Sequence, residues 1–202
     1  MPRGSAGERG MGEPMTADRS DAVPSDTIVA VRGAVDATFT SLDILCAKPA
    51  SYLHHRPAYP SAWTVAEHLE HVSLVNHFLL LTIAKGVATA LRRALTQPVP
   101  PGESDLARLA PIADPGAFPW EPPGHMIPTG TKPVAEVRAL LAAQHGECLE
   151  LLQRVGTGEG RLCSFRMSVN HLEMLDMYQW LYFLARHGSW HLAFLAQREP
   201  SG

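Results

Sequence analysis

His187 and His191 stand four residues apart near the end of a chain that holds ten histidines in 202 residues. If that segment is helical, a spacing of four puts both imidazoles on one side, one turn apart. Trp180, Phe183, Leu184, Trp190 and Phe194 fall on the same side, so both rings lie in the apolar face. A single buried histidine is commonly satisfied by a hydrogen bond. Two on one face are harder to satisfy, because each neutral ring needs a partner for a donor and for an acceptor. Two such rings can bind one divalent metal, each through one nitrogen. His187-Gly188-Ser189-Trp190-His191 has Gly where a zinc-protease helix places its Glu, and His68-Leu69-Glu70-His71 is one residue short of the inverted form. A third ligand must then come from another helix. The second helix offers His68, His71 and His77. Periodicity favours His68 as the inward ring, places His71 about 60° away at the edge of the stripe, and excludes His77.

Four elements must position these rings. Ile28, Val31, Val35, Phe39, Leu42 and Leu45 recur at steps of three and four, a helical stripe over 25–47 that starts at Pro24-Ser25-Asp26 and stops before Pro49. Thr64-Val65-Ala66-Glu67 is a capping box that opens a helix over 64–95. Pro133 opens a third over 133–155, closed by Gly156, and Asp176 with Gln179 opens a fourth over 176–197. No run has a useful strand period. The expectation is an all-α, antiparallel four-helix bundle with long crossover connections. The Pro- and Gly-rich link 96–132 holds a short extra helix near Ser104–Leu109. Residues 1–24 read as a disordered tail and 25–199 as one domain.

Composition narrows the partners. Seventeen Lys and Arg against 20 Asp and Glu give a net charge of −3, without the basic surplus that nucleic acid needs. The longest apolar run, Phe78–Ala84, is far short of the roughly 20 residues of a membrane span. The first 27 residues hold no apolar stretch long enough for a secretory signal, so none is expected there. Cys46, Cys148 and Cys163 are odd in number and widely spaced, which points away from a disulfide framework and toward a reducing cytoplasm.

Two segments carry a resemblance. Trp63-Thr64-Val65-Ala66-Glu67-His68-Leu69-Glu70-His71-Val72 is similar to the Trp-Ser-x-x-Glu-x-Leu-x-His-Leu opening of the second helix in the DinB-like (YfiT-like) superfamily of metal-dependent hydrolases. Tyr178-Gln179-Trp180-Leu181 followed by Phe183, Ala185, His187 and His191-Leu192 resembles that superfamily's last helix. The resemblance covers about residues 25–198. It implies an up-down-down-up bundle, often dimeric, with a divalent ion such as zinc or nickel on His71, His187 and His191 and positions left open for water. It thus selects His71 where periodicity favours His68. Relatives include transferases that activate a low-molecular-weight thiol such as bacillithiol or mycothiol, and an isomerase using mycothiol. Ser164-Phe165-Arg166-Met167 lies where relatives carry Phe-x-His-Pro, and lacks both that His and that Pro.

The expectation is therefore a metal-dependent enzyme, of thiol S-transferase or hydrolase type, acting on a small molecule. The alternative is a noncatalytic bundle that binds a metal or small ligand; a third reading is a plain helical fold with buried neutral histidines. Among lesser features, Glu67 reads as a cap and, one turn before His71, as a residue that orients it, and Glu70 as a general-base candidate. Trp63, Trp180 and Trp190 read as core. Cys148 reads as a small buried hydrophobe, and His54-His55 as a solvated loop. Gly188 relieves crowding on an exposed side. Val99-Pro100-Pro101 and Trp120-Glu121-Pro122-Pro123 shape a mouth over the site or lie on the surface.

Overall fold

Ser25 accepts from the amide of Ile28 and starts helix α1, Asp26–Cys46. In the computed structural model, residues 25–56, 62–117, 120–169 and 172–197 are described; the stretch read as a tail, 1–24, lies outside them. A single turn, α2 (Ala50–Leu53), follows. Helix α3, Val65–Ala94, opens on the capping box: Thr64 Oγ1 accepts from the Glu67 amide at 3.1 Å, and Glu67 Oε2 accepts from the Thr64 amide at 2.6 Å. Helix α4 is Val134–Arg154. Helix α5, Met177–Ala196, opens on the reciprocal pair Asp176 and Gln179. All four long helices lie one residue inside the expected limits at each end, the difference being the caps.

Named contacts give the directions. The starts of α1 and α5 meet through Ser104, whose amide binds Thr27 and whose hydroxyl binds Asp176; further along, Thr38 contacts Ala185 and Ser189. These two helices are parallel. Asp43–Arg138 and Asp36–His145 make α1 and α4 antiparallel. Glu70 meets Thr129, just before α4, while Arg93 meets Leu162, just after it, so α3 and α4 run together. His71 faces His187 and His191 across an antiparallel α3–α5 pair. The order is up-down-down-up, and α3 and α4 need a crossover that returns the length of a 30-residue helix, about 45 Å. Segment 95–133 supplies it. The short helix expected there is a 3-10 turn at Ala107–Ala113, with Leu109 and Ile112 fully buried.

Two features differ from the expectation. Ser164–Met167 and Glu173–Asp176 form an antiparallel two-stranded ribbon, Phe165 opposite Leu175. Strands of four residues are too short to show a period. Gly188 is not on an exposed side. It is buried against α1, where a Cβ would stand 2.7 Å from Thr38 Cγ2. Cys46, Cys148 and Cys163 are all free and buried; burial pushes the Cys148 thiol up to about 12. α3 has the length and apolarity of a membrane span, but it lies between α4 and α5 and buries His68, Glu70, His71 and Asn76, as a core helix does.

Candidate metal centre

Antiparallel packing of α3 on α5 brings four imidazoles together. His71, His187 and His191 are 4%, 3% and 4% exposed, and one ring nitrogen from each lies within 4.8 Å of the others. The His187 and His191 Nε2 atoms are 3.3 Å apart. His68 is also buried, its Nδ1 3.0 Å from His191 Nδ1. Periodicity and resemblance each selected one of His68 and His71, and both rings turn inward. His77, His54 and His55 are exposed, as expected.

The hydrogen bonds decide which nitrogens are free. His71 Nδ1 lies 2.7 Å from the Met126 carbonyl oxygen. A carbonyl only accepts, so Nδ1 carries the proton and Nε2 presents its lone pair to the other rings. A donor on the far nitrogen held by a backbone carbonyl is how metal-ligating histidines are oriented. The His68–His191 contact needs one donor and one acceptor; if His191 donates from Nδ1, its Nε2 is likewise a lone pair facing His187. His187 Nδ1 is buried with no hydrogen-bond partner among the described residues.

Electrostatics favour neutral rings. Burial pushes His187 down to about 3 and His68 to about 4, and the positive charge each would feel from His71 adds to the effect. Burial lowers His71, partly offset by its bond to Met126. Burial and three neighbouring rings hold His191 well below the usual range. At neutral pH the cluster therefore carries lone pairs and no charge. That is the protonation state in which imidazoles take up a cation. The triad His71, His187 and His191 could hold a metal ion.

The carboxylates expected beside His71 serve other ends. Glu67 caps α3 and pairs with Arg56 at 2.8 Å; it does not orient His71, a task that falls to Met126. Glu70 is 3% exposed and accepts from the Thr129 amide, the Thr129 hydroxyl and the Gly130 amide at 2.8–3.1 Å. It pins the crossover to α3 and is not placed as a general base. Gly130 adopts φ 71°, and a Cβ there would stand 2.9 Å from Glu67 Oε1. Met126 had no signal in the sequence, because any residue has a carbonyl.

The cluster lines a cavity of about 880 Å³. Trp63, Trp180 and Trp190 line it, and the latter two are buried, so they serve as core and wall together. Trp63 packs on both His68 and His71. Trp120-Glu121-Pro122-Pro123 also line the cavity, and Trp120 meets the His187 ring edge-on at 5.5 Å. Val99-Pro100-Pro101 do not; Pro100 accepts from Arg161 on another part of the molecule. Segment 164–167 contributes Met167 to the wall in place of a histidine.

No curated protein and no solved structure matches this chain. The family model of the DinB superfamily matches residues 27–195, from the first turn of α1 to the last of α5. With four-fifths of its length under that match and a histidine triad set between its second long helix and its last, the chain belongs to the DinB superfamily.

Proposed function

We propose that this protein is a metal-dependent enzyme in which His71, His187 and His191 hold a divalent transition metal, zinc or nickel, facing a small-molecule cavity. The observation that carries this reading is the convergence of three buried imidazoles on the wall of that cavity. The donors fit such an ion: Met126 fixes the His71 tautomer, and neutral nitrogen ligands in a buried three-coordinate set suit zinc and nickel while leaving room for an exogenous group. When bound, the ion would bring the pKa of a thiol or a water toward neutrality. The chain's own residues do the rest. Met126 and His68 orient two of the rings, Glu70 anchors the crossover, and the aromatic wall excludes water and holds substrate. Thiol S-transfer and hydrolysis would share these ligands. A small-molecule substrate, a homodimeric state and a cytoplasmic location complete the reading, resting on composition and on the family.

One observation favours the noncatalytic alternative, a bundle that binds a metal or ligand without turnover: Glu70, the carboxylate next to His71 in sequence, is consumed by the crossover and is not free to act as a base. Elemental analysis of protein purified without an affinity tag, followed by a screen of thiols against electrophiles and of hydrolysable esters and amides, separates the readings. Stoichiometric metal with turnover lost in His187→Ala supports the enzyme. Stoichiometric metal without turnover supports the binder, and no metal under replete conditions removes both.

A further inference from the structure

The walls of the cavity say what kind of molecule fits it. At about 880 Å³ it is near the upper end of small-molecule pockets, which run to roughly 1,000 Å³. Beyond the histidines its described lining is dominated by aromatic and aliphatic side chains, with Thr82 and Ser168 as neutral polar groups. Among the described lining residues Glu121 is the single carboxylate, and none is a lysine or arginine. Two arginines of neighbouring segments have partners of their own. Arg56 binds the carbonyl of Ala62, itself a lining residue, and spends its other nitrogen on Glu67. Arg186 binds the Ala110 carbonyl and lies over Tyr182.

Away from any ion on the histidines, an anionic group carried into such a cavity loses its hydration and gains no counter-charge or fork of donors from the described lining side chains. An apolar body, by contrast, is favoured by the area it removes from water and by stacking on four tryptophans, Trp63, Trp120, Trp180 and Trp190. Resting on the reading of this cavity as the substrate site, we propose that its wall, apart from the histidines and any ion they hold, takes the bulky, apolar, uncharged body of a molecule and discriminates against carboxylate, phosphate or sulfonate groups on that body. A thiol cosubstrate with several carboxylates fits this wall poorly. A neutral electrophile, ester or amide with an aromatic or aliphatic body fits it well.

A matched pair of fluorescent probes tests this: N-phenyl-1-naphthylamine, which is neutral, and 8-anilinonaphthalene-1-sulfonate, the same skeleton with a sulfonate. Both are titrated into the full chain as purified and again after chelation, and the chelated arm decides, since no bound ion can then attract the sulfonate. The neutral probe is expected to bind at least tenfold more tightly. Ser168→Arg, an exposed position on the lining, should narrow that ratio several-fold by supplying the missing cation, with the fold checked by circular dichroism. Equal or tighter binding of the sulfonate by the unmodified chain after chelation overturns the proposal. So does a ratio that Ser168→Arg leaves unchanged, because the probes then bind elsewhere. If elemental analysis finds no metal while the ratio behaves as expected, the metal reading fails and the preference for apolar ligands stands.

Discussion

His71 donates from Nδ1 to the carbonyl of Met126, 55 residues further along the chain, and this one bond ties the crossover to the imidazole cluster. The crossover is held in turn by Glu70, one residue before His71, through three bonds to Thr129 and Gly130. Residues 70 and 71 thus form a two-point clamp on segment 126–130: one grips the loop and the other uses it.

Glu70→Ala should therefore act on metal affinity through His71. The Thr129 and Gly130 amides are at an exposed edge and can turn to water, so the stability cost should be modest, about 1–3 kcal/mol, as for bonds to a charged group. Metal affinity should fall roughly 10- to 100-fold, the usual effect of losing support behind a ligand. Competition against a chromophoric chelator measures it. Unchanged affinity would show that Met126 holds its place without the clamp.

Replacing His187 with Ala should leave the bundle folded. The lost ring leaves a cavity, but it also removes a buried Nδ1 that has no partner among the described residues, so the net cost should be about 1–3 kcal/mol. The stabilisation that excess divalent metal gives the wild type should disappear, because it grows with the logarithm of metal concentration over its dissociation constant. Paired melting curves with and without metal read this directly. A variant that keeps the full metal shift would place the ion elsewhere, with His54, His55 and His68 next to test.

The metal-free protein should lose stability as pH falls below about 6.5. The unfolded chain protonates its histidines near 6.5, while the folded state holds His68 down at about 4 and His187 at about 3. Between those limits the unfolded state binds more protons, so acidification favours unfolding; above 6.5 neither state binds them and the contribution is flat. Each such histidine costs about 1.4 kcal/mol per pH unit inside its window. Urea midpoints at pH 7.5, 6 and 5 check the slope. Equal midpoints would mean the rings protonate without unfolding.

Much of this fold can be read from residues, and the parts that cannot have physical reasons. Capping boxes at Thr64 and Asp176 are local chemistry, and they locate two helix starts to one residue. The pairing of His187 with His191 follows from helical spacing alone. The choice between His68 and His71 does not, because residues 68–73 are all buried. There α3 is covered by α4 on one side and by α5 and the crossover on others, so a wheel with a single apolar face has no edge to detect. Met126 and Glu70 act through a loop contact nearly 60 residues apart in sequence, which no periodicity encodes. The apolar stripes were equally silent about the cavity: Trp180 and Trp190 read as core in either case.

Gly188 offers the last test, since it sits between the two histidines of α5. In an open helix, Gly→Ala stabilises by about 1 kcal/mol. Here the new Cβ would stand 2.7 Å from Thr38 Cγ2, and Leu42 Cδ1 is 3.7 Å away, so α5 must move off α1 or Thr38 must shift. Thr38 is not free to rotate away: its hydroxyl contacts the Ala185 carbonyl at 3.2 Å and the Ser189 hydroxyl at 2.8 Å. Overpacking of this kind costs about 1–3 kcal/mol, which outweighs the gain in propensity. Gly188→Ala alone should therefore destabilise. Thr38→Ser removes the clashing methyl and keeps the hydroxyl, so the double variant should recover most of the loss, a coupling that a double-mutant cycle isolates. Urea denaturation of the four proteins measures it. If Gly188→Ala is neutral, or if Thr38→Ser fails to rescue it, then the close approach of α1 and α5 is not what requires glycine between His187 and His191.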